Sequence, residues 1–317
     1  MSESFSLPAG SPSVASPPRA AAAGPPAASR TRLMDDIRAH PLPVVVTAAL
    51  FLIEFAKPMQ LLGRDWWSNP EAGHGLLLAP LALWLAWSRG VRADARSAPA
   101  LGLTLLVGAV LLRYMSGLAA ELYTMRLSML MALGGLTVYA YGVRQLLHWW
   151  LPFTVLWLSV PLPELVTSGI AMPLQMRASR MGAALLEWRQ VPVLLDGNVI
   201  RLPGGNNLFV AEACSGLRSL TALLSLGVLL GGMVLRWPVS RMLLVLLAIP
   251  IAVLINGVRV FLTGFLVFFV GPEAGQGFMH VTEGWLMFLV DLLLLGLCAW
   301  LVLHLERAIA ARRVAHA

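Results

Sequence analysis

Three side chains in the C-terminal half of this chain have the chemistry of a nucleophile, a fixed cation and a base: Cys214, Arg259 and His280. A cysteine acts as its thiolate, and a position at the start of a helix favours that form. Cys214 stands at the head of an apolar run, and Arg218, one turn further on, adds positive charge near it. Arg259 lies between Ile255-Asn256-Gly257-Val258 and Val260-Phe261-Leu262. An arginine in such a run costs several kcal/mol unless it finds partners, which makes it a functional candidate; snorkelling to headgroups is the alternative. Asn256 and Thr263, about one turn to either side, share its helical face. Glu283, three residues after His280, is spaced to hydrogen-bond one ring nitrogen and fix the tautomer of a base. His74, in Ala72-Gly73-His74-Gly75, is a second candidate base.

Other chemistries have weaker support. Neither His-Glu-x-x-His nor Cys-x-x-Cys occurs, so no metal and no other cofactor is expected. Asp291 and Glu54, inside apolar runs, are residues a transporter or export component would use, with Arg259, as an ion path. Ser215 with His280 would make a serine protease, but the glycine-flanked serine of that class is missing.

The elements that must position these residues are membrane helices. The chain has 317 residues, 58% of them hydrophobic and 12% charged, against about 25% charged in a soluble domain. The apolar runs approach twenty residues, the length that crosses a hydrocarbon layer, and they do not alternate as barrel strands do. The expected fold is all-α, a polytopic bundle of about eight helices: residues 43–62, 75–87, 100–115, 122–141, 146–166, 214–235, 239–270 and 284–305. Pro250 predicts a kink or half-break in the long seventh span. Residues 167–213 contain Arg177, Arg180, Glu187, Arg189, Asp196 and Arg201 and are too polar to span. Within them 175–188 has the spacing of a helix lying along the interface, and Asp196-Gly197 between β-branched residues predicts a hairpin.

Three units follow: a Pro/Ala/Ser-rich disordered tail over 1–40, a membrane domain over 41–306 and a basic tail over 307–317. The net charge of +7 is almost all arginine at the ends of apolar runs. It therefore reads as topology and contact with membrane lipids, and not as nucleic-acid binding. The arginine-rich side includes both termini and the loops with Arg89, Arg92, Arg96, Arg144, Arg236 and Arg241, which places the termini in the cytoplasm. Residues 167–213 and the loop 271–283 then face outward. Arg259 lies about 30 Å up its helix from Val239, so Cys214, Arg259 and His280 reach one outer level from three helices. Cys298, eighteen residues past His280, lies about 27 Å deeper. Both cysteines are expected to be free thiols.

The stretch Ala211-Glu212-Ala213-Cys214-Ser215-Gly216-Leu217-Arg218-Ser219 resembles the exosortase/archaeosortase family of polytopic membrane cysteine transpeptidases. The resemblance continues through Pro250-Ile251-Ala252, Asn256-Gly257-Val258-Arg259 and His280 to Gly284-Trp285, with Gly73-His74-Gly75 and Pro161-Leu162-Pro163 upstream. It covers about residues 60–300, without an appended periplasmic domain. It implies a bacterial inner-membrane enzyme that acts on exported proteins carrying a Pro-Glu-Pro-type motif, a transmembrane helix and a basic cluster at the C-terminus. The family's catalytic Cys, Arg and His fall on Cys214, Arg259 and His280. A link to exopolysaccharide machinery is also implied by the resemblance, although no residue tests it.

Overall fold

In a computed structural model the protein is almost entirely helical. The structure describes residues 30–205, 207–210, 216–275 and 277–315, with no side-chain detail at 30–32, 205, 209, 274–283 and 314–315. Twelve helices occur among the described residues. They are α1 (Arg30–Ala39), α2 (Pro41–Glu54), α3 (Ala56–Ser68), α4 (Gly75–Arg89), α5 (Pro99–Leu118) and α6 (Leu122–Tyr141). There follow α7 (Val143–His148), α8 (Trp150–Leu158), α9 (Glu164–Trp188), α10 (Leu217–Val234), α11 (Pro238–Phe269) and α12 (Gly277–Ala315).

Four of the described helices are long and apolar enough to cross a membrane: α5, α10, α11 and the 284–313 part of α12. The pair α1 and α2, bent by 99°, makes a fifth if counted as one span. The expected eight are therefore not met by length and apolarity alone. The first expected span is divided at Phe55, the second is the 15-residue α4, and the fifth is divided between α7 and α8. Arg126, buried within α6, dilutes the fourth and is neutralised by Asp65 of α3.

Close packing follows the small residues. In the antiparallel α5–α6 hairpin, Gly102 abuts the Tyr139 backbone and Gly135 abuts Leu105 and Leu106. Without side chains at these points two backbones approach closely, the usual device where lipid offers no hydrophobic drive. Glu121 starts α6 by accepting from the amides of Tyr123 and Thr124 at 3.0 and 2.6 Å, satisfying donors that the first turn leaves open.

Helices α10 and α11 form a second antiparallel hairpin, with Gly231 against Arg241, Gly227 against Val245 and Gly216 against Asn256. Helix α12 returns along them, and Leu220, Leu223, Leu244, Ala248, Leu295 and Ala299 share one core. At the base, buried Glu306 accepts the Arg236 and Trp237 amides at 3.2 and 2.9 Å, sealing the α10–α11 turn. Helix α11 runs unbroken through Pro250, so of the expected kink or half-break the half-break does not occur.

The clearest departure from the sequence reading is α9. Residues 164–188 form one 25-residue helix, where a break and an interfacial segment were expected. It runs parallel to α11: Met181 meets Gly257, Gly182 meets Val260, and Leu186 meets Gly264. Ala178, Gly182 and Leu186 recur every four residues on the buried face, while Arg180 and Glu187 are exposed. The polar residues thus occupy a different stripe and do not interrupt the helix.

The predicted hairpin is present as β1 (Leu194–Asp196) and β2 (Val199–Arg201), turning at Gly197 with φ +64°. A third strand, β3 (Asn207–Phe209), which the sequence reading lacked, adds antiparallel to β2. The sheet packs on the ends of α9 and α11, where Ile200, Leu202, Val210, Leu186, Val260 and Val267 form one core.

Directions complete the architecture. Helix α4 runs antiparallel to α8, since His74 before α4 reaches the Leu158 carbonyl and Arg89 at its end reaches that of His148. Leu151, at the start of α8, packs against Gly232 near the end of α10, so α8 points the same way as α11 and α9. Helices α8 and α9 thus point the same way and are separated by a break at Pro161-Leu162-Pro163. Proline cannot supply the amide that the preceding turn needs. The carbonyls freed at the break are taken by His74 and by Trp66, whose indole donates to Ser159 O at 2.7 Å.

Candidate functional site

Arg259 sits on α11 with its guanidinium against α12: a methyl built on Gly284 would lie 3.2 Å from Nη2 and 3.4 Å from Cζ. The glycine lets the guanidinium lie close on the α12 backbone, and a larger residue there would push it back by a few tenths of an ångström. One turn toward the start of α11, Asn256 is 6% exposed and packs against Gly216, where a Cβ would come 2.7 Å from the amide carbon. Gly216 has φ +79° and caps α10, so both its conformation and its crowding demand glycine. Thr263, one turn beyond, donates its hydroxyl to the Arg259 carbonyl at 3.0 Å. Arg259, Asn256 and Thr263 all have further partners.

Cys214 lies outside the described residues. The covalent chain keeps its Cα within about 7 Å of that of Gly216, two residues on. The described part of this helix begins at Leu217, with Gly216 as its cap. His280 is in the helical backbone of α12, one turn before Gly284, where the sequence reading had it in a loop. The side chains of His280 and Glu283 lie outside the description. Arg218 is exposed on the first turn of α10.

The level of this assembly can be checked twice. Arg259 is 22 residues (259 − 237) above Trp237, and Gly284 is 22 residues (306 − 284) above Glu306, which binds the Trp237 amide. Each leg measures about 33 Å at 1.5 Å per residue. The Arg259–Gly284 contact is therefore one hydrocarbon thickness from the arginine-rich end.

The other candidates fall elsewhere. His74 sits at the α3–α4–α8 corner, its Nε2 3.3 Å from Leu158 O. Burial draws its pKa below the ordinary value, with the Leu158 and Glu71 backbone opposing. Asp291 is 1% exposed in α12, while Glu54 is exposed at the end of α2. Cys298 is a free thiol packed against the α10–α11–α12 core.

Sequence reasoning singled out the polar residues here and missed the roles of Gly216, Gly257 and Gly284. Their signal was present, since each is the glycine beside a candidate polar residue, but the neighbours that need the space lie on other helices. A narrow cleft lined by Leu174, Gly216, Leu220, Ala252, Val253 and Asn256 runs between α9, α10 and α11 at this level.

No curated protein and no solved structure gives a significant match. The sequence model of the family described as transmembrane exosortase matches residues 66–297, which include Gly216, Asn256, Arg259 and Gly284 together with Cys214 and His280. With nearly three quarters of its length matched and its apolar helices arranged as a multi-pass bundle, the chain belongs to the transmembrane exosortase family.

Proposed function

We propose that the protein is a membrane-embedded cysteine endopeptidase or transpeptidase in which Cys214, Arg259 and His280 act as one catalytic unit. The observation that carries this reading is the position of Arg259. Its guanidinium lies on Gly284, one turn from His280, and its helix neighbour Asn256 lies on Gly216, two residues from Cys214. These two contacts support a reading in which Cys214, Arg259 and His280 work at one level.

In this mechanism His280 takes the thiol proton and the Cys214 thiolate attacks the scissile carbonyl carbon. Arg259 stabilises the negative oxygen of the tetrahedral intermediate through its planar pair of N–H donors. The intermediate collapses with loss of the C–N bond, and His280 returns its proton to the departing amine. The resulting thioester passes its acyl group to an acceptor nucleophile or to water, regenerating the thiolate. Asn256 and Arg218 are supporting residues, Glu283 orients His280, and His74 is the alternative base.

The substrates in this proposal are exported proteins with a C-terminal sorting signal, a Pro-Glu-Pro-type motif followed by a transmembrane helix. The enzyme sits in a bacterial inner membrane with both termini cytoplasmic and the chemistry on the extracytoplasmic side. In this reading the chain crosses eight times, with the divided helices joined as α2 with α3, α4, α5, α6, α7 to α9, α10, α11 and α12. The hairpin β1–β2 and the Arg259 level then fall on one side, and Arg89, Arg92, Arg144, Arg236 and Arg241 on the other.

The test is a tagged substrate followed from its full-length to its trimmed form, with enzyme levels matched by immunoblot. Cys214→Ala and His280→Ala are each expected to abolish trimming, and the double variant to be no worse, as for residues of one unit. Normal trimming by Cys214→Ala overturns the cysteine mechanism in favour of a transport role. Loss with His74→Ala while His280→Ala stays active moves the base to His74 and leaves the enzyme class standing.

A further inference from the structure

At the end of the bundle opposite Arg259, a cleft of about 440 Å³ opens between the α4–α5 loop and the start of α8. Arg89, Arg92, Arg144, His148 and Trp150 line it together with a single acid, Asp94. The site is built and not merely basic. Arg89 donates to the carbonyls of His148 at 3.2 Å and Gly232 at 3.5 Å, which fixes its guanidinium at the rim. Trp150 holds two cations, with Arg89 at 5.9 Å and Arg241 at 5.1 Å from its ring centre. Asp94 is engaged by Arg92 at 2.7 and 2.9 Å and touches Arg144 only at 3.4 Å. One carboxylate among three lining arginines leaves a positive field, and Arg89 faces Arg241 across one indole.

We propose that this cleft binds the phosphodiester headgroup of an anionic phospholipid. The planar guanidinium forks match phosphate oxygens, and an anion between them relieves the repulsion. A lipid is favoured over a soluble phosphate by what adjoins the cleft. Leu147 lines the cleft and is 65% exposed, an apolar surface that an acyl chain would cover. Basic clefts between membrane helices, with tryptophan at headgroup level, suit this ligand. The site is about one hydrocarbon thickness from Arg259, and its occupancy is independent of the catalytic proposal.

The experiment is native mass spectrometry of the full chain, delipidated in detergent and titrated with phosphatidylglycerol or phosphatidylcholine. Phosphatidylglycerol is expected to bind at least about fivefold more tightly. Arg144→Gln should weaken it roughly fivefold, the weight of one basic side chain at an anionic surface. Arg144 is 73% exposed at its side chain, so this variant folds. Arg307→Gln, an exposed arginine at the same end but outside the cleft, should bind like wild type. Equal retention of the two lipids overturns the proposal, as does no effect of Arg144→Gln or an equal loss in Arg307→Gln. Displacement of phosphatidylglycerol by millimolar inorganic phosphate also overturns it, by assigning the cleft to a soluble anion.

Discussion

The α5–α6 hairpin and the meeting of α10, α11 and α12 use the same residue for opposite ends. In the hairpin, Gly102 and Gly135 admit the partner's backbone and apolar side chains, and the result is a closed seam. At the meeting point, Gly216 and Gly284 admit the polar ends of Asn256 and Arg259. The first arrangement fixes two helices by close van der Waals packing. The second makes room for groups whose burial is costly unless they are held and partnered. Small residues in a membrane bundle therefore mark close approach, and the polarity of what fills the space separates a structural seam from a site.

Three substitutions press on that distinction. Arg259→Lys has the largest expected effect on processing, a loss of at least about 100-fold at normal protein level, because the charge survives but the paired planar donors do not. Wild-type trimming by that variant would reduce Arg259 to a counter-charge. Gly216→Ala comes next. A side chain at φ +79° costs about 1–2 kcal/mol, and its methyl displaces Asn256, so trimming per folded enzyme should fall by roughly tenfold. Unchanged trimming by this variant would unlink the Gly216–Asn256 contact from the chemistry. Gly102→Ala has the smallest effect on trimming, none per folded enzyme. Its methyl meets the Tyr139 backbone 2.5 Å away, and the overpacking should lower stability in detergent by about 1–3 kcal/mol. A thermal melt paired with the trimming assay separates the last two variants; equal behaviour in both assays would erase the contrast.

What could be read in the sequence was whatever is written along one segment. The Asp196-Gly197 turn declares its hairpin locally, and Arg259 stands out because it is the one charged residue of α11 beyond Arg241. Helix α9 was hidden by counting its polar residues without their phase: Ala178, Gly182 and Leu186 carry the four-residue repeat, and Arg177, Arg180 and Glu187 lie off that stripe and are exposed. The roles of Gly216 and Gly284 were not legible, because the atoms that need their space belong to residues 40 and 25 positions away (256 − 216 and 284 − 259) on other helices. Strand β3 was missed for a similar reason, since Asn207–Phe209 has no pattern of its own and is a strand only because β2 offers a free edge.

The break between α8 and α9 bears on the order in which the protein is made. Its exposed carbonyls belong to Leu158 and Ser159, and the groups that satisfy them, His74 and Trp66, precede them by 84 and 93 residues. A ribosome delivers the N-terminal donors first. By the time the Pro161-Leu162-Pro163 interruption emerges, the residues that carry the indole and imidazole have already been made. In the reverse order each carbonyl would wait for its donor, at a cost where water is excluded. The placement of Trp66 and His74 early in the chain thus makes them assembly partners held ready for a helix that does not yet exist.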